Sequence, residues 1–153
     1  MPVPELAGEL QREDFLALPF VLHAAENNEY EGLAYDASAD RLIVGKERDP
    51  LLLYQIGDFA GGADNRFSHD VRDVSDTLGD ELFLDDVAGL DFDARTGHLL
   101  AVSHESRLVI ELGEQGEAMS HLLLEAGNAG LREDVPQAEG VALDDRDRLY
   151  LVS

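Results

Sequence analysis

The sequence predicts an all-β fold, a β-propeller represented by about two and a half blades of a five- or six-bladed ring. Two observations carry that reading. The first is a phrase that occurs three times. Glu31-Gly32-Leu33-Ala34-Tyr35-Asp36 is answered by Ala88-Gly89-Leu90-Asp91-Phe92-Asp93 and by Glu139-Gly140-Val141-Ala142-Leu143-Asp144, with the glycines 57 and then 51 residues apart. The second is that each phrase is followed, after a short polar turn, by another apolar run: Arg41-Leu42-Ile43-Val44-Gly45-Lys46, His98-Leu99-Leu100-Ala101-Val102-Ser103, and Arg148-Leu149-Tyr150-Leu151-Val152-Ser153. Strand, turn and strand recurring at such a period is the signature of propeller blades. A helical solenoid would show 3.6-residue periodicity and few paired turns.

The elements follow in order. Residues 1–18 read as an arm or the remnant of a preceding blade, and residues 20–24 as an outer strand left from it. The first blade occupies residues 28–76: inner strand at 32–35, turn at 37–40, returning strand at 42–46, third strand at 51–56, and a fourth at 67–74 beyond a Gly- and Asp-rich loop. The second blade, near 84–126, repeats the plan with strands at 88–92, 99–103, 108–112 and 119–124, its first turn containing Gly97. The third, 137–153, has an inner hairpin with strands at 138–143 and 149–153. The whole of 1–153 reads as one partial propeller domain. Closing the ring removes most free strand edges, and rings have four to eight blades. The expectation is therefore a fragment of a longer protein, or chains that pair as a homo-dimer through open blade edges.

Composition narrows the partners. The net charge is −22 and Lys46 is the only lysine, which excludes the basic footprint that nucleic acid or anionic lipid requires. The acids fit either a high-salt habitat or a cation-binding surface. With no cysteine there is neither a disulfide framework nor a thiolate metal site. The longest mostly apolar stretch, residues 15–22, is interrupted by Pro19 and is too short to span a bilayer. The chain starts without the basic residues of a secretory signal, and as it stands it reads as soluble.

Four glutamates stand out. Glu31 and Glu139 immediately precede the repeat glycine, where an inner strand begins near the channel axis. Glu47 and Glu105 end the returning strands, and antiparallel pairing brings those ends back beside the starts. Carboxylates converging on one axis repel each other unless one takes a proton or a cation intervenes. A hard divalent cation with oxygen ligands, Ca²⁺ above all, resolves the conflict. The competing reading is a set of solvated ion pairs, Glu47 with Arg48 or Lys46 and Glu105 with Arg107. Asp85-Asp86 offers a further oxygen donor. His23, His69, His98 and His121 read as isolated residues, and no nucleophile elbow, phosphate loop or zinc-binding helix motif is present.

Asn28-X-X-Glu31-Gly32-Leu33-Ala34-Tyr35, Lys46-Glu47-Arg48-Asp49-Pro50, Asp85-Asp86-Val87-Ala88-Gly89, the run from Leu99 to Arg107 and Gln137-Ala138-Glu139-Gly140-Val141-Ala142 together resemble the SdiA-regulated (YjiK-like) family over about residues 20–153. The resemblance implies a propeller of five or six blades, usually behind a membrane anchor and facing the bacterial periplasm. It also implies two more blades before Glu31 and a Ser-Glu-Pro-Asn phrase from Ser153. On that resemblance the leading functional expectation is a non-enzymatic, cell-envelope binding module with channel Ca²⁺ on Glu31, Glu47, Glu105 and Glu139, serving an unknown protein or small-molecule partner. The alternative is a calcium-dependent hydrolase, lactonase- or phosphoesterase-like, with His104 as candidate base.

Overall fold

The computed structural model describes residues 30–48, 50–58, 70–78 and 84–153. The expected arm, the strand at 20–24 and most of the loop and early strand between 59 and 69 lie outside these residues.

The first sheet is an antiparallel meander of β1 (Tyr30–Asp36), β2 (Arg41–Lys46), β3 (Leu52–Gly57) and β4 (Val71–Asp73), followed by one helical turn, α1 (Ser75–Leu78). The second has the same order in β5 (Gly89–Asp93), β6 (His98–Ser103), β7 (Leu108–Leu112) and β8 (Ala118–Leu123). The third pairs β9 (Gly140–Leu143) with β10 (Leu149–Val152). The chain is almost all-β, its sheets are antiparallel, and their order is that of a partial propeller. Strand limits differ from the sequence reading by a residue or two, and of the expected strand at 67–74 the described residues form β4 at Val71–Asp73.

Each inner hairpin is held by an aspartate at the end of the repeated phrase. Asp36 accepts hydrogen bonds from the Ser38 hydroxyl (2.6 Å) and from the backbone N–H of Ser38 (2.9 Å) and Ala39 (3.2 Å), and pairs with Arg41 (2.9 Å). Asp93 does the same for Arg95, and Asp144 for Arg146 and Arg148. The last residue of each turn is left-handed: Asp40 at φ 47°, Gly97 at 79° and Asp147 at 59°. Aspartate and glycine are the residues that tolerate this conformation.

The sheets stack face to face through two apolar clusters. Ala34, Ile43 and Leu53 of the first sheet meet Leu90, Leu99 and Ile110 of the second. Leu100, Val102 and Val109, on the second sheet's other face, meet Val141, Leu143 and Leu151 of the third. The closest approach is at the glycines. A Cβ on Gly32 would lie 2.6 Å from Leu90 Cγ, and one on Gly45 2.9 Å from Val87 Cγ1. Polar links cross the same seams: the Val87 N–H donates to the Glu47 carbonyl (3.1 Å) and the Leu143 N–H to the Asp91 carboxylate (2.7 Å). Lower down, Arg95 reaches Asp147 (2.6 Å).

Gly32→Ala should therefore destabilise the fold by about 1–3 kcal/mol through overpacking. Gly57→Ala, whose Cβ would meet nothing nearer than 3.8 Å, should cost far less. Urea titration of the two variants checks this. A second expectation concerns acid. Burial pushes the Asp36 carboxyl up, but the Ser38 hydroxyl, the Ala39 and Ser38 amides and Arg41 outweigh it and hold the group below its ordinary value. Asp144, also opposed by desolvation, is brought down to about 2 by the Arg148 and Arg146 amides and the Arg148 guanidinium. A carboxylate lowered in the folded state contributes stability that is present above its unfolded pKa, near 4, and lost as pH falls through its folded pKa. Thermal melts should show stability falling from about pH 4 to about pH 2, with a shallower decline in Asp144→Asn.

Candidate functional site

Antiparallel pairing places the starts of β1 and β9 and the ends of β2 and β6 at one end of the stacked hairpins, as the repeat requires. Tyr30 pairs with Lys46, Gly89 with Val102 and Gly140 with Val152. The register shifts between Tyr30 and Gly32, so that Glu31 is the extra residue of a β-bulge, a device that re-aims side chains next to functional sites. Glu31 and Glu139 are exposed, and the Glu139 N–H donates to the Val152 carbonyl (2.8 Å).

The register revises one equivalence. Gly32 faces Gly45 as Gly89 faces Val102, so Lys46 corresponds to Ser103, Glu47 to His104 and Arg48 to Glu105. Glu47 and Glu105 are thus not counterparts. They are brought together by Arg48, whose guanidinium pairs with Glu47 Oε1 (2.9 Å) and also with Glu105 Oε1. The Glu47 side chain keeps 12% of its surface accessible and that of Glu105 43%, so the bridge runs from a half-buried acid to an exposed one and ties the first blade to the second.

The other expected ion pairs take different partners. Lys46 is fully buried, and its ammonium donates to the backbone carbonyls of Arg48 and Pro50, the latter at 3.2 Å. Burying an ammonium is tolerated only when its donors are satisfied. The Arg48 and Pro50 carbonyls accept from the buried ammonium here and hold it against the segment that carries Arg48. Arg107 lies 3.7 Å from Asp134. Asp86, considered as a spare oxygen donor, is buried and already committed: it accepts from the Ser103 hydroxyl and from the amides of His104 (3.3 Å) and Glu105 (3.0 Å). It fixes the turn that aims Glu105 at Arg48.

Two features escaped sequence reasoning. His104 Nδ1 is buried with no hydrogen-bond partner among the described residues, a costly state for a polar atom. Nothing local signals it, because it follows from the packing of the Asp86-anchored turn. His98 is not isolated: its Nδ1 lies 2.6 Å from Glu111, which also accepts from the Ser120 hydroxyl (2.6 Å). The His98 contact is the main reason the Glu111 carboxyl is held below its usual value, with Ser120 adding to it. The pair joins β6 to β7 away from the glutamate end and becomes visible only once the strand register is known.

As a cation site, the four glutamates do not stand ready. Among the described residues no three His, Cys, Asp or Glu side chains gather closely enough to hold a metal ion, and Ca²⁺ takes six to eight oxygens. The acidic end is organised instead around Arg48. Because that bridge is partly exposed, Arg48→Met should lower stability by about 1 kcal/mol or less. Denaturation of Arg48→Met, Glu105→Gln and the double variant should show a coupling of about 0.5 kcal/mol that diminishes in 1 M salt.

The comparisons with known proteins agree with the fold. A gluconolactonase from Xanthomonas campestris superposes with a TM-score of 0.55 at 17% identity, over 84% of this chain and 36% of that one. At that identity the likeness is one of fold. The chain spans about a third of the length of this structural relative. Among the described residues no helix is long and apolar enough to cross a membrane. The SdiA-regulated family profile matches residues 1–153, and the chain belongs to the SdiA-regulated family.

Proposed function

We propose that this protein is a β-propeller binding module of the cell envelope, facing the periplasm, and that its acidic hairpin end takes a divalent cation, Ca²⁺ first, through Glu31, Glu47, Glu105 and Glu139. The observation that carries the proposal is the Arg48 bridge: carboxylates from two neighbouring blades converge closely enough to share one positive group. A divalent ion supplies that charge with stronger oxygen coordination, but it must displace Arg48 from between Glu47 and Glu105. Cation binding and the Arg48 ion pairs are mutually exclusive in this reading. The envelope location rests on family membership, and the module's partner is a protein or small molecule outside the nucleic acids.

A second reading is a calcium-dependent hydrolase of lactonase or phosphoesterase type. The specific feature in its favour is His104, whose Nδ1 is buried and without a hydrogen-bond partner among the described residues, at the position that corresponds to Glu47. The gluconolactonase relative adds the fold and nothing of the chemistry.

Calorimetric melts in Ca²⁺ test the cation site that both readings share, and a turnover assay separates them. Ligand at a hundred times its dissociation constant stabilises by about 2.7 kcal/mol. The melting temperature should rise with Ca²⁺, less in Glu139→Gln and Glu105→Gln, and more in Arg48→Gln, where the displaced competitor is gone. An unchanged melting curve in wild type and Arg48→Gln would sink the cation site. Turnover of gluconolactone or a phosphoester that His104→Ala abolishes would establish the hydrolase instead.

A further inference from the structure

β8 is an edge strand of a kind that proteins ordinarily avoid. It is the last strand of the second sheet, and among the described residues no strand pairs with its outer side. Bare edges are usually kept short or charged, because their unpaired N–H and C=O groups template further pairing. β4, the last strand of the first sheet, follows that rule: it has three residues, and two of them are Arg72 and Asp73. β8 has six, Ala118-Met119-Ser120-His121-Leu122-Leu123. Although 29% of the chain is Asp, Glu, Lys or Arg, β8 contains none of them.

The register shows which of its backbone groups are free. The Leu124 N–H donates to the Arg107 carbonyl (2.8 Å), and the two strands then pair in step from Leu108–Leu123 to Glu111–Ser120. Hydrogen-bonded and non-bonded pairs alternate along an antiparallel ladder. Leu122 and Ser120 therefore bond to β7, whereas His121 and Leu123 turn their N–H and C=O groups outward. The side chains of the same two residues stand beside Ile110 and Leu108 and, with Met119, line a mostly apolar groove of about 360 Å³. Met119 is 51% exposed and Leu123 39%.

We propose that β8 is a docking edge for an extended segment of a cationic partner protein, which joins the sheet as a fifth strand. Outward rungs and an apolar groove on the same residues are what strand addition uses: main-chain bonds give affinity, and pockets for alternate side chains give selectivity. The partner's chemistry follows from the two faces. On the groove side it meets Met119, His121 and Leu123 and carries apolar residues. On the other side Glu111 lies behind Ser120, which donates to it (2.6 Å), and exposed Glu117 and Glu125 bracket the strand; basic residues suit that side. Arg107, at the Glu125 end, is offset by Asp134 (3.7 Å). A second copy of this chain is a poorer occupant, because its β8 brings the same acidic flanks and two chains of net charge −22 repel each other.

Amide hydrogen exchange followed by NMR on the full chain tests this residue by residue. In the free protein the His121 and Leu123 amides should exchange much faster than those of Leu122 and Leu124, which are bonded inward. The probe is a capped peptide of alternating valine and lysine, and adding it should slow exchange at His121 and Leu123. Calorimetry should show the lysine peptide binding about tenfold more tightly than its glutamate counterpart, with the difference shrinking in 0.5 M salt. N-methylation of the peptide amides that face β8 should cost about tenfold or more on the wild-type chain, and Leu123→Lys should weaken binding to a similar degree. Four results would overturn the proposal: no binding of the lysine peptide, equal affinity for the lysine and glutamate peptides, binding that survives N-methylation, or protection of both amides in the free chain. Protection that grows with protein concentration, together with sedimentation as a dimer, would make a second copy the occupant and overturn it as well.

Discussion

Everything in this molecule depends on how closely the inner strands of neighbouring blades can approach. That distance is set by the absence of side chains at Gly32, Gly45 and Gly89. A Cβ at any of them would sit at or inside van der Waals contact with the next blade, and the stack would have to open. Because the strands come this near, backbone groups of one blade reach polar groups of the next, and the two apolar clusters close between the sheets. Leu90 and Val87 together fill the space that Gly32 and Gly45 leave open, as close packing of protein interiors requires.

Charge is the second constraint. A net charge of −22 in 153 residues would strain any compact fold if the acids were unassigned. Many have definite structural work. Asp36, Asp93 and Asp144 accept the amides of their own turns and ion-pair with an arginine near by, so one carboxylate satisfies the turn's donors and also anchors its end. Asp86 performs the equivalent task for the turn after β6. Arg41, Arg48, Arg72, Arg95, Arg107 and Arg148 each lie beside a carboxylate, Arg41 additionally lying over the Phe92 ring of the next blade at 5.9 Å. The charge at the hairpin end is different in kind, since Arg48 serves two glutamates from two blades and leaves that end net negative.

That end unites the fold with the functional reading. Lys46 is held by the Arg48 and Pro50 carbonyls; Asp86 shapes the opposing turn; Arg48 spans the gap. In the proposed reading, such an arrangement is a frame around an exchangeable contact. An exposed guanidinium between two carboxylates is weakly held compared with a coordinated divalent ion, so the frame can persist while its occupant changes.

The repeated Glu/Ala-Gly-Leu/Val-X-X-Asp phrase by itself determined the fold class, the hairpins and their turns. Glycine, alternating apolar residues and a terminal aspartate constrain the backbone locally, and local constraints are legible in one dimension. It also placed Glu31, Glu47, Glu105 and Glu139 at the same end of their hairpins, because antiparallel pairing leaves no other choice. What only the tertiary structure decided is which residues correspond and which meet. Aligning Glu47 with Glu105 by their positions after the apolar runs misses the pairing register, which sets Glu47 against His104 and Arg48 against Glu105. The choice of Arg48 over Arg107 as the partner of Glu105, the burial of Lys46 and the His104 nitrogen without a partner among the described residues depend on side chains more than fifty residues apart or on loop packing. Those energies are small individually and arise only when the blades have already stacked.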